Sequence, residues 1–108
     1  MTETFRKEIV RHMTKNLLDI QMLRLIQTRP MWGYRIKKQT ENKFGVKLRH
    51  GALYPLLNTL EKKGFLTSQK QQHGGRTRKV YTITRKGIQY LEAYNSILKQ
   101  QLEALDVK

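Results

Sequence analysis

Gly51-Ala-Leu-Tyr-Pro-Leu-Leu-Asn-Thr-Leu-Glu-Lys-Lys-Gly-Phe-Leu66, followed by Gly74-Gly75-Arg-Thr-Arg-Lys-Val-Tyr-Thr-Ile-Thr84, decides the fold. In the first stretch Leu53, Leu56, Leu57 and Leu60 stand at i, i+3, i+4 and i+7, the core stripe of an amphipathic helix that starts near His50. Gly64 ends that helix, and Phe65-Leu66 bring the chain back to the core. Pro55 would clash with the carbonyl four residues back. That residue is Gly51, so the helix bends or begins tightly there. In the second stretch Val80 alternates with Thr82, and Tyr81 with Ile83, which is the period of a strand. His73-Gly74-Gly75 has the turn chemistry to join two strands, about Phe65 to Lys70 and Lys79 to Thr84.

Working outward, a helical stretch covers roughly Thr4 to Thr28, with a break expected near His12 to Lys15. Leu17, Leu18, Met22, Leu25 and Ile26 share one face of it. Pro30 ends it, because proline disfavours helical geometry in the residue before it. A second helix is expected from about Trp32 to Phe44, with Ile36, Thr40 and Phe44 inward and Gly45 as its C-terminal stop. Thr84 is a plausible N-cap for a last helix reaching about Leu105. The order helix, helix, helix, strand, strand, helix defines a mainly α (α+β) fold. It is expected to be a winged helix-turn-helix over residues 1–86 with a C-terminal dimerisation helix over 87–108.

Charge agrees with that architecture. The chain has a formal net charge of +14, and residues 29–86 hold 15 of its 22 Lys and Arg against two acids, Glu41 and Glu61. That segment is the electrostatic footprint expected of a nucleic-acid surface. The segment after it carries none of the excess.

A winged helix-turn-helix places its third helix in the major groove and its hairpin on the flanking backbone. Arg49, His50, Tyr54 and Asn58, at the start and outer side of the third helix, are therefore the candidate groove contacts. Arginine can make two hydrogen bonds to guanine, and asparagine two to adenine. Arg76, Arg78 and Lys79 on the wing read as phosphate or minor-groove contacts. Tyr34 and Lys38 would add backbone contacts from the second helix, although Tyr34 fits a core tyrosine equally well. Trp32, the one tryptophan, reads as a packing plug rather than a ligand platform. Leu91, Tyr94, Leu98, Leu102 and Leu105 form a heptad-like seam on the last helix with no partner left in so short a chain, so a second copy is expected to cover it.

These residues resemble the PadR family of transcriptional regulators. The likeness runs through Leu17 to Leu25, Gly33-Tyr34, the Gly51 to Leu57 helix, Leu60-Glu61, Gly64-Phe65-Leu66, Gly74-Gly75-Arg76, Tyr81 to Thr84 and Lys86-Gly87. It covers about residues 15 to 95. The resemblance implies a dimeric winged helix-turn-helix, usually a repressor, which releases DNA when a small-molecule effector binds. The chain departs from the family in having Arg49-His50 where a serine often precedes the glycine. Its C-terminal part is a single short helix, as in the shorter branch of the family, so effector sites built from larger C-terminal domains do not transfer.

The expected function is a cytoplasmic, homodimeric regulator that binds double-stranded operator DNA, with a sequence-neutral DNA-coating protein as the alternative. No cofactor is called for. Cysteine is absent and the three histidines lie far apart, which gives no metal-ligand spacing. No nucleophile and base are paired, so no enzyme is expected. No run approaches the ~18 apolar residues of a membrane span. Arg6, Lys7, Glu8 and Arg11 break any signal-like stretch at the start.

Overall fold

A computed structural model describes residues 3–45 and 47–105. The elements are α1 (Glu3–Thr28), β1 (Met31–Trp32), α2 (Gly33–Phe44), α3 (His50–Lys62), β2 (Leu66–His73), β3 (Arg76–Ile83) and α4 (Arg85–Leu105). The helices and the hairpin fall in the order read from the sequence. The side chains of Thr14, Phe44, His50 and Leu105 lie outside the described residues.

Three features depart from the sequence reading. First, α1 is two helices joined across a kink, and the kink is at Leu17, later than the expected His12 to Lys15. Second, Met31 and Trp32 form a short strand instead of starting the second helix. β1 pairs antiparallel with β3, Met31 opposite Tyr81 and Trp32 opposite Val80, so the sheet has three strands in the order β1-β3-β2. Third, the hairpin is longer than its apolar pattern, pairing from Leu66 opposite Ile83 out to His73 opposite Arg76. Beyond Lys70 its residues are polar and exposed, and the ladder there is held by backbone hydrogen bonds and the Gly74-Gly75 turn. Both glycines have positive φ (58° and 79°), which is the backbone this tight connection requires.

Ile20, Met22, Leu23 and Ile26 of α1, Ile36 of α2, and Leu53, Leu57 and Leu60 of α3 are buried together with Met31, Leu66 and Tyr81 of the sheet. Leu91 of α4 belongs to the same core, at 2% exposed. This corrects the seam read from the sequence: Leu91 is committed to its own chain. Burial raises the Tyr81 hydroxyl above its ordinary pKa of 10.0, and the charges of Glu61 and Tyr54 add to the effect.

The helix ends follow local chemistry. Gly45, in the left-handed region at φ 66°, donates from its N–H to the Glu41 carbonyl and closes α2. α3 begins tightly, the Ala52 N–H donating to the Arg49 carbonyl at 3.0 Å, and then runs on through Pro55. Thr84 caps α4 as expected: its hydroxyl accepts from the Gly87 N–H at 3.0 Å and donates to the Gly64 carbonyl at 2.6 Å. One hydroxyl thereby ties the end of α3 to the start of α4.

Candidate nucleic-acid interface

Arg49 is the N-cap residue of α3, in extended backbone, and its side chain is exposed. Tyr54 and Asn58, four apart, share the outer side of the same helix, and both are exposed. The Tyr54 ring lies over Gly33: a β-carbon there would come within 2.7 Å of Tyr54 Cε1 and 2.8 Å of its hydroxyl. The glycine that opens α2 therefore leaves space for an aromatic ring of α3. His50 opens α3, but its side chain lies outside the described residues.

Tyr34, at the first turn of α2, is 50% exposed, so the core reading of this residue is set aside. Its ring stacks on Trp32 with centroids 5.3 Å apart, and Lys38 Nζ stands 5.6 Å from the Tyr34 centroid. Arg76 and Lys79 are exposed on the hairpin. Arg78 is placed differently. It is half-buried, with its guanidinium carbon 3.8 Å from the centroid of the Trp32 ring. Its Nε is buried and has no hydrogen-bond acceptor among the described residues. Of the three wing residues expected to meet phosphate or the minor groove, Arg76 and Lys79 are thus exposed and Arg78 is half-buried.

The two acids of the basic segment are turned inward. Glu41 Oε2 accepts the Leu48 N–H at 2.8 Å, holding the loop before α3. Glu61 Oε2 accepts the Ser68 hydroxyl at 2.7 Å, tying the end of α3 to β2. Both side chains are half-buried. A count of charges cannot reveal this, yet it bears on the electrostatics: the two acids of residues 29–86 are engaged within the fold, and the positive groups of that segment are exposed except Lys37 and Arg78, which are half-buried.

At the other end, Leu98 and Leu102 are exposed on α4, as are Phe5, Ile9 and Met13, spaced by four along the first half of α1. Tyr94 is partly buried against the core, with Arg24 5.9 Å from its ring centroid. Leu105 is not described beyond its backbone. Grooves lie between α1 and α2 (about 540 Å³, lined by Arg6, Arg11 and Lys43 among others) and between α1 and α3 (about 470 Å³). Among the described residues no three His, Asp or Glu gather as a metal site, and no helix is long and apolar enough to cross a membrane.

A helix-turn-helix followed by a two-stranded wing, with a basic outer surface, defines a winged-helix protein of the gene-regulatory class. The chain belongs to the PadR-like family of transcriptional regulators, whose model matches residues 22–93. Similar solved structures include a PadR family transcriptional regulator from Eggerthella lenta, 27% identical over 94% of this chain and 92% of that one, with a TM-score of 0.72. Another, from Clostridium difficile, is 25% identical with a TM-score of 0.74, over 83% of this chain and 95% of that one. Bacillus subtilis PadR, solved in complex with operator DNA, is 28% identical with a TM-score of 0.66, over 72% of this chain and 47% of the longer relative. No curated protein sequence is similar enough to count as a relative.

Proposed function

We propose that this regulator binds double-stranded operator DNA as a homodimer in the cytoplasm and represses transcription. The observation that carries the reading is the engagement of Glu41 and Glu61 within the fold, while Arg49 and Lys38 of the helix-turn-helix and Arg76 and Lys79 of the wing stand exposed. The operator complex of Bacillus subtilis PadR supports the same use of the fold. In this reading α3 reads bases through Arg49, Tyr54 and Asn58, the wing meets phosphates through Arg76 and Lys79, and Tyr34 and Lys38 add backbone contacts. Leu98 and Leu102 pair with a second copy. Release by a small molecule is carried only by the family resemblance. The two grooves along α1 described above offer space for one.

The test is a paired binding assay on the DNA upstream of the protein's own gene and on scrambled DNA, across a salt series. Each phosphate neutralised should contribute ~0.9 to the slope of log affinity against log salt. Arg76→Ala should weaken both DNAs alike. Arg49→Ala or Asn58→Ala should cost ~1–3 kcal/mol on the preferred site alone. Equal losses on both DNAs for every variant would favour the sequence-neutral coating protein, and a flat salt response would exclude a nucleic-acid surface. Loss of repression of a reporter gene on deletion of the protein checks the direction of regulation.

A further inference from the structure

We propose that Arg78 is a positioning residue. Stacked on Trp32, it sets the angle of the hairpin against the helix-turn-helix, and its contribution to DNA binding passes through that indole rather than through a phosphate. The proposal rests on the DNA-binding reading above. Strand register supplies the first argument. Trp32 pairs with Val80, and Arg78, two residues along β3, is its diagonal neighbour on the same face of the sheet. Such diagonal neighbours are within reach of long and aromatic side chains. The opposite face carries Met31 and Tyr81 into the core. Trp32 thus joins three parts of the fold: its backbone closes the sheet, its ring stacks on Tyr34 of α2, and the same ring carries the guanidinium of the wing.

The second argument is what the guanidinium has left to offer. Arginine grips a phosphate best through two parallel N–H groups of its planar fork. The Nε edge of Arg78 is buried, so that edge is closed to a phosphate. A planar guanidinium on an indole face is the cation–aromatic pairing that lysine does not reproduce. Arg76, two residues on and exposed, keeps its whole fork in solvent. The two arginines of the wing therefore do different work: Arg76 meets the backbone, and Arg78 holds the hairpin where Arg76 can meet it.

The experiment measures DNA affinity, with its salt slope, for the full chain and for Arg78→Gln, Arg78→Lys, Trp32→Leu, Trp32→Phe, the Arg78→Gln/Trp32→Leu pair and Arg76→Gln. A positioning role predicts that Arg78→Gln, Arg78→Lys and Trp32→Leu each lose affinity by a similar factor, on the order of tenfold. The pair should lose no more than either single change, Trp32→Phe should retain most of the affinity, and only Arg76→Gln should lower the slope by ~0.9. Trp32, as the one tryptophan, also reports on the stack without DNA: its emission should shift to the red in both Arg78 variants as the ring is uncovered. Multiplying losses in the pair, full affinity in Arg78→Lys, or an unmoved emission each overturns the proposal while leaving DNA binding intact. A full chain that binds no DNA overturns the functional reading and the proposal with it.

Discussion

Gly87, in the first turn of α4, lies directly against the Phe65 carbonyl. A β-carbon on it would collide with that oxygen and come within 2.7 Å of Ile83 Cγ1. The neighbour is backbone, held by the Thr84 N–H at 3.0 Å, so it cannot swing aside. Alanine is the better helix former by about 1 kcal/mol, yet Gly87→Ala should destabilise. The expected loss is ~1–3 kcal/mol, as for other overpacking changes, read as a lower melting temperature. A rise would mean that α4 can slide away from the end of α3.

Thr40 is 1% exposed, and its hydroxyl has no partner among the described residues. A buried polar group without a hydrogen bond costs about 1–3 kcal/mol. Thr40→Val keeps the branched shape and removes the hydroxyl. It should raise stability by ~1 kcal/mol in a denaturant titration, and a marked loss would show that the hydroxyl does have a partner.

Leu91 and Leu98, seven apart on α4, should fail differently. Leu91→Ala empties part of the chain's own core and should cost ~2–5 kcal/mol of stability. Leu98, 40% exposed, rests on no such core. Leu98→Asp should leave the fold intact but place an unpaired charge in the seam, giving monomers in sedimentation. A variant that unfolds, or that stays dimeric, would move the interface elsewhere.

Gly33→Ala tests the packing of the Tyr54 ring. The obstructing atoms belong to the end of an exposed side chain, so stability should change by less than ~0.5 kcal/mol. The ring must nevertheless turn away, so affinity for the preferred DNA should fall as it does in Tyr54→Ala. Unchanged affinity would remove Tyr54 from the interface.

Tyr81 gives a pH dependence with a definite sign. Its folded pKa is raised, first by burial, so the folded chain keeps the phenol proton after the unfolded chain has lost it. Its effect on stability is nil below pH 10. Stability then falls as pH rises from the unfolded value towards the folded one. Tyr81→Phe should flatten that alkaline limb in pH-dependent melting, and equal slopes in both proteins would contradict the assignment.

Much of the helix and hairpin framework could be read from periodicity and punctuation. The Leu53, Leu57 and Leu60 stripe, the Gly45 stop and the Thr84 cap all lie within one or two turns of the residues they act on. What escaped the sequence reading depends on distant partners. Met31-Trp32 is too short to show a strand's alternation, and its partner strand lies some fifty residues further on. A heptad-like pattern cannot say whose core a leucine fills, so Leu91 and Leu98 look alike until packing separates them. The inward turn of Glu41 and Glu61 and the stacking of Arg78 are likewise facts of three-dimensional neighbourhood. The exposure of Arg49, Tyr54 and Asn58 was legible because their positions at the start and outer side of the helix alone imply it.

The kink at Leu17 has a geometric consequence. An unbroken helix has a single rotational phase, so an apolar stripe begun at one end must wind steadily to the other. A kink turns the axis instead, so a stripe of constant spacing meets two different surroundings. After Leu17 the stripe is timed to the chain's own interior at Ile20, Leu23 and Ile26. Before it, Phe5, Ile9 and Met13 continue the same spacing, Met13 standing two turns ahead of Ile20, yet all three are exposed. One continuous apolar pattern is thereby divided, its second half closing the core and its first half left in solvent.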